Sequence, residues 1–144
     1  MNEKNNSSVH WSFWGISILT LAWNAMGGLN FFMQLSPEAV ASFPETHRAI
    51  IEGRPAWATA GFAVAVFGGT LGCLLLLFRR SAAYYVFIAS LLGVMVTMAH
   101  TMDVISSSIE MGPFEMLMMV MMPVVVAVFL VWYSKLSARK EWIS

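Results

Sequence analysis

Residues 57–78 read WATAGFAVAVFGGTLGCLLLLF, and the fold follows from how that run is read. A helix needs about 20 apolar residues to cross a hydrocarbon layer of ~30 Å, and this run supplies them. Membrane-spanning strands alternate polar and apolar side chains, which this run does not, so it is a helix. Working outward, the second span covers residues 55–78, and the same signature marks spans at residues 11–34, 82–104 and 113–134. The chain has 144 residues, 58% hydrophobic and 11% charged, with a mean hydropathy of +0.70. A soluble domain carries about 25% charged residues to cover its core with a wet surface. The expectation is an all-α membrane protein: one bundle of four transmembrane helices over residues 1–144, surrounded by the lipid bilayer.

Within the second span two rows of small residues repeat every four positions, Gly61, Ala65, Gly69, Cys73 and Ala60, Val64, Gly68, Gly72. Small side chains let backbones approach closely, and in lipid that contact replaces the hydrophobic drive. This helix is therefore expected to be the packing centre, with the stripes doubling as candidate homodimer interfaces. The third span has its own stripe, Ala89, Gly93, Thr97 and Thr101. In the fourth, Pro123 removes a backbone donor and should kink the helix. Ser81 is a cap candidate for the third span.

The first ten residues are polar, and the apolar stretch after them exceeds the about 7–15 residues of a signal peptide, so it reads as a retained helix. Cys73 is the single cysteine, which rules out an intrachain disulfide. With four spans, Lys4, Arg79, Arg80, Lys135, Arg139 and Lys140 fall on one side and Arg48 and Arg54 on the other. Basic residues favour the cytoplasm, so both termini are expected inside, in a bacterial inner membrane. Glu38, Glu45, Glu52, Asp103, Glu110 and Glu115 collect outside, a bias expected to favour cations near an outer mouth. Zero net charge speaks against a nucleic-acid partner.

The outer segment, residues 36–54, carries two helix-start signatures, Ser36–Pro37 and the approach to Pro44, with Val40, Phe43, His47, Ile50 and Ile51 at helical spacing. It is expected to form short amphipathic helices on the membrane surface, as a connector or as a lid over a site. The tail, residues 135–144, is basic and expected to lie at the interface with Trp142 as its anchor.

Chemistry-bearing residues gather near the outer boundary. In MAHTMD, residues 98–103, His100 and Asp103 share a helix face and can point together into the bundle or out to interfacial water. Asn30 and Gln34 fall at the same depth on one face of the first span, and Glu115 opens the fourth. Asn24, nearer mid-membrane, is the costliest polar residue to bury and is expected to bridge helices or touch a ligand. These six define a candidate ligand site. The twelve methionines, with Met111, Met116, Met118, Met119, Met121 and Met122 crowding the fourth span and Met95, Met98 and Met102 along the third, admit a Cu(I) reading or an adaptable apolar filling. No phosphate-binding glycine loop, cysteine pair or nucleophile–base set occurs, so neither a cofactor, a defined metal site nor an enzyme is expected.

LAWNAMGGLNFFMQ (residues 21–34), PAWATAGFAVAVFGGTLGCLLLLFRR (residues 55–80) and VFLVWYS (residues 128–134) together resemble a family of small four-span bacterial inner-membrane proteins often labelled sugar transporters. The resemblance covers most of the chain and is most specific over residues 57–80. It implies a membrane bundle and a transport role but carries over no site residue. The leading functional expectation is a small-solute transporter with an outward-facing polar pocket, formed as a dimer. The alternative is an accessory protein that binds another membrane protein or a lipid.

Overall fold

A computed structural model describes residues 9–108, 110 and 112–144; Lys4 and Met111 lie outside them. The described residues form α1 (Trp11–Met33), α2 (Pro37–Ala41), α3 (Glu45–Glu52), α4 (Ala56–Leu77), α5 (Ala83–Ser108), α6 (Pro113–Met116) and α7 (Met122–Arg139), with no strand among them. A π-helical turn, Leu117–Met121, joins α6 to α7. Four stretches are long and apolar enough to cross a membrane: Trp11–Met33, Ala56–Leu77, Ala83–Ser106 and Pro113–Arg139. The protein is a multi-pass membrane bundle, as its composition requires. The third helix runs on to Ser108 and the fourth to Arg139, both past the ends expected from hydropathy.

α4 packs against α1 on one flank and α5 on the other, and α5 in turn holds α7. The glycines explain how α4 and α5 come so close. A Cβ at Gly93 would sit 2.6 Å from the Gly61 carbonyl oxygen and 2.7 Å from the Ala65 nitrogen, both backbone atoms that cannot give way. At Gly72 a Cβ would meet the Phe87 ring at 2.5 Å, and at Gly69 it would overlap the Asn24 amide of α1. Of the two small-residue rows, Gly61, Ala65, Gly69 and Cys73 are all buried, whereas Ala60 and Val64 are exposed. In α5 the position expected to pack, Ala89, is exposed; its neighbour Ser90 is buried instead and donates its hydroxyl to the Ala65 carbonyl at 2.6 Å.

α1 and α7 meet at the end of the bundle where α1 begins and α7 stops, called here the terminal end. There Phe13, wholly buried, stacks on Tyr133 with ring centroids 6.4 Å apart and meets Trp142 edge-on at 5.8 Å. Cys73, Leu76, Phe87, Leu130 and Ile143 complete the cluster. The end of the tail folds back onto this cluster: Ile143 is buried and Trp142 half-buried, with Lys135, Arg139 and Lys140 exposed.

Two matched helix ends lock this closure. α4 stops with Arg79 in the left-handed region (φ 60°), its N–H donating to Leu76 and that of Arg80 to Leu75. α7 stops the same way at Glu141 (φ 60°), with bonds to Ala138 and, from Trp142, to Ser137. Both are Schellman ends in which a residue with a side chain takes the place glycine usually fills. What Arg79 gains is specific: its Nε donates to the Trp142 carbonyl at 2.6 Å, while Ser144 bonds both Arg79 and Ser81 through its backbone.

At the opposite end, called here the loop end, Ser36 caps α2 by accepting from the Ala39 N–H, with Pro37 in the first turn. α3 begins one residue later than expected because Pro44 is its cap rather than its first residue. The face expected from spacing is turned inward, with Val40 and Ile50 buried and Phe43, His47 and Ile51 half-buried. In the fourth span the ladder widens at Leu117–Met121, where the Met122 N–H donates to Leu117, just before Pro123. A π turn lets the chain pass the ring, so the proline's effect is spread over this turn.

Candidate functional site

A cavity of about 650 Å³ opens where α1 and the fourth span draw apart toward the loop end. α1 contributes Trp23, Asn24, Met26, Asn30, Met33 and Gln34; the loop segment adds Phe43, His47, Ile50, Ile51 and Arg54. Its floor is Phe62, Ala65 and Val66 of α4 with Phe87, Ser90, Val94, Thr97, Met98 and Thr101 of α5, and its far wall is Met118, Met119, Pro123, Ala127 and Leu130. All four spans and the loop therefore share one space, a size typical of sites for small organic ligands, roughly 300–1,000 Å³. The π turn places Met118 and Met119 on that wall, a common location for such turns.

Most of the wall is apolar, and the polar groups inside it are largely spent. Ser90, Thr97 and Thr101 each donate to a backbone carbonyl, of Ala65, Gly93 and Thr97 respectively, leaving lone pairs but no proton for a ligand. Asn24 is buried and donates to the Thr20 carbonyl at 2.9 Å and to the Cys73 sulfur at 3.8 Å. Cys73 in turn donates to Thr20 Oγ1 at 3.5 Å, so Asn24 both bridges α1 to α4 and forms part of the wall. Toward the loop end the polar groups are left over: Gln34 Oε1, His47 Nδ1 and Arg54 Nε are buried without a hydrogen-bond partner among the described residues, and all three residues line the cavity.

The six residues singled out from sequence divide between two places. Asn24, Asn30 and Gln34 are brought together on the α1 wall. His100, Asp103 and Glu115 are not on the wall. His100 is buried, with Nε2 3.1 Å from the Ile50 carbonyl, a contact that requires the proton on Nε2, and its ring meets Trp57 edge-on at 6.1 Å. It fastens α3 onto α5. Asp103, three residues on, is exposed, so the two do not turn together into the cavity. Glu115 sits half-buried in the first turn of α6, where an acid favours the helix dipole.

The acidic residues of the loop end lie on the surface rather than in the cavity. Glu38, Glu45, Glu52, Asp103 and Glu110 are exposed and none lines the cavity. Among the described residues the one fixed charge on the wall is the cation Arg54. Its guanidinium carbon lies 5.1 Å from the centre of the Phe62 ring, and burial lowers its pKa from the usual guanidinium value. Arginine nonetheless stays charged at any physiological pH. Summed charge over a face could not reveal this, because side-chain direction decides which charges reach the cavity; the one local signal is an arginine set directly before a span-opening proline. Five methionines, Met26, Met33, Met98, Met118 and Met119, share the wall. Among the described residues no group of three or more His, Cys, Asp or Glu is placed to hold a metal ion.

No family model, curated protein or solved structure matches the chain.

Proposed function

We propose that this membrane protein takes a small, largely apolar solute into the cavity between α1 and the fourth span, as a small-solute transporter or carrier. The observation that carries the proposal is the cavity itself, about 650 Å³ with walls from all four spans and a roof from α3. The mostly apolar wall suits such a solute better than a sugar, the label borne by the family that the sequence resembles. A sugar presents a hydroxyl on nearly every carbon, and here Ser90, Thr97 and Thr101 have given their protons to backbone and offer only acceptor lone pairs. Flexible thioethers along the wall suit a solute of variable shape.

The loop end faces the exterior in this proposal. Among the described residues Arg79, Arg80, Lys135, Arg139 and Lys140 sit at the terminal end and only Arg48 and Arg54 at the other, a distribution that favours termini in the cytoplasm of a bacterial inner membrane. Saturable binding of an apolar fluorescent probe to the protein in nanodiscs tests the site, with Ala127→Phe as the blocking variant because Ala127 lies on the wall. Wild-type binding that Ala127→Phe removes, with the variant's melting temperature retained, is the expected result. Probe binding that is equal in both proteins would place the solute elsewhere.

One observation favours a second reading, an accessory protein whose partner is a membrane protein or a second copy. Trp11, Ile18, Leu19 and Met26 are exposed along α1, the least enclosed of the spans together with the fourth. Cross-linking in native membranes through cysteines placed at Leu19 separates the readings: a discrete adduct supports a partner, and its absence leaves that face to lipid. Copper measured in the purified protein tests the third reading, a Cu(I) site among the thioethers.

A further inference from the structure

The cavity's polarity is arranged along one axis. At the loop end stand Arg54, Gln34 and His47, each with a buried polar atom that no group among the described residues serves. From there the space follows α5 from Thr101 to Phe87, fourteen residues or about 21 Å at ~1.5 Å each, past side chains whose hydroxyl protons are already committed. A molecule matching this space has one polar end and an apolar remainder.

The sign and size of the polar end are fixed by Arg54. Its cavity-facing guanidinium is held over the Phe62 ring, and no carboxylate among the described residues pairs with it. A half-buried cation without a counter-ion is an unstable arrangement that an anionic ligand would relieve. One permanent positive charge balances one negative charge. A carboxylate fits the fork of the guanidinium through two parallel hydrogen bonds. A phosphate monoester, at about −1.5 to −2, would call for a second cation that the wall does not provide. The volume of about 650 Å³ suits one alkyl chain and is too small to enclose a two-chain phospholipid.

Resting on the reading of this cavity as the solute site, we infer that the ligand is a long-chain carboxylate, its head at Arg54 and its chain laid along α5 toward Phe87. Entry is from the side, since Met26 and Leu29 line the cavity and are also exposed on the bundle surface, at 70% and 62%. A chain dissolved in the bilayer can therefore slide in between α1 and the fourth span while its head stays at the loop-end boundary.

The experiment uses the full chain in zwitterionic nanodiscs with a conjugated, naturally fluorescent octadecatetraenoate as probe, read by energy transfer from tryptophan; Trp23 lies on the cavity wall. Competitors of one chain length differ only in their heads: hexadecanoate, hexadecanol, hexadecyltrimethylammonium and hexadecyl phosphate, with a two-chain phosphatidylglycerol alongside. Hexadecanoate is expected to displace the probe at concentrations at least about tenfold below hexadecanol, a preference that Arg54→Gln abolishes and that Arg54→Lys, which keeps the charge but not the fork, reduces without abolishing. Equal displacement by hexadecanol and hexadecanoate in the wild type, or a preference that survives Arg54→Gln, overturns the inference. So does better displacement by hexadecyl phosphate or phosphatidylglycerol. Saturable binding that Ala127→Phe blocks but that ignores the head group overturns this inference alone, whereas no saturable binding at all removes the solute site with it.

Discussion

At the terminal end of the bundle Phe13, Tyr133, Trp142 and Ile143 fill the space between α1 and α7, and the tail is tied to the α4–α5 turn through Arg79, Ser81 and Ser144. At the loop end the same two flanks separate, a cavity takes the place of packing, and Gln34, His47 and Arg54 keep unserved polar atoms. Both ends contain an arginine in a partly buried setting, and the contrast between them is instructive. Arg79 completes a hydrogen bond that closes the fold, while Arg54 faces open space over an aromatic ring. Stability is thus concentrated at one end, leaving the other free to hold something else, as low-stability elements at binding sites generally do.

The sharpest way to break this contrast is to empty the closed end. Phe13→Ala removes a fully buried ring and should cost about 3–5 kcal/mol. Trimming Met26→Ala on the open wall should cost far less, and a melting temperature in detergent that falls equally for both would deny the asymmetry. Next in size is the helix contact that the two ends share. Gly93→Ala drives a methyl group against two backbone atoms of α4 and should destabilise by about 1–3 kcal/mol. Gly15→Ala, in a helix with nothing within 4 Å of the added carbon, should be neutral or stabilise by about 0.5–1 kcal/mol.

The arginine pair gives a smaller effect. Arg79→Gln loses a charge-assisted bond in a half-exposed setting, about 1–2 kcal/mol, whereas Arg54→Gln, which loses the contact with the Phe62 ring but also relieves an uncompensated half-buried charge, should cost no more than about 0.5–1 kcal/mol. Equal losses in chemical denaturation would mean that Arg54 is structural. Different in kind is His100→Ala, which removes a buried ring and frees the Ile50 carbonyl, at a cost of about 1–3 kcal/mol. Its signature is local: faster amide exchange in α3, with exchange at the terminal end unchanged.

How far the residues announced these arrangements depends on whether the cause is local. The inward face of α2 and α3 was legible, since Val40, Phe43, His47, Ile50 and Ile51 follow helical spacing. So was the close approach of α4, through Gly61, Ala65 and Gly69. Ser90 taking the position expected of Ala89 was not, because one step of rotation between two stripes depends on the partner helix. His100 and Asp103 share a spacing that suggested a pair, yet the carbonyl of Ile50, fifty residues away, claims the imidazole. Asn24, Asn30 and Gln34 were found because a polar side chain in an apolar run stands out whatever it faces. Arg54 was missed for the opposite reason: an arginine at a span boundary is ordinary until its direction is known.

Four apolar runs, too long and too poor in charge for water, made this chain a helical membrane bundle before any contact was known, because the bilayer forces each span to satisfy its own backbone. Which ends are sealed, which charges reach the interior and which helices part to leave a cavity are set by side chains far apart in sequence. Those choices belong to the tertiary structure, since lipid solvates the outside of every span alike and only helix-to-helix contact tells one face from another.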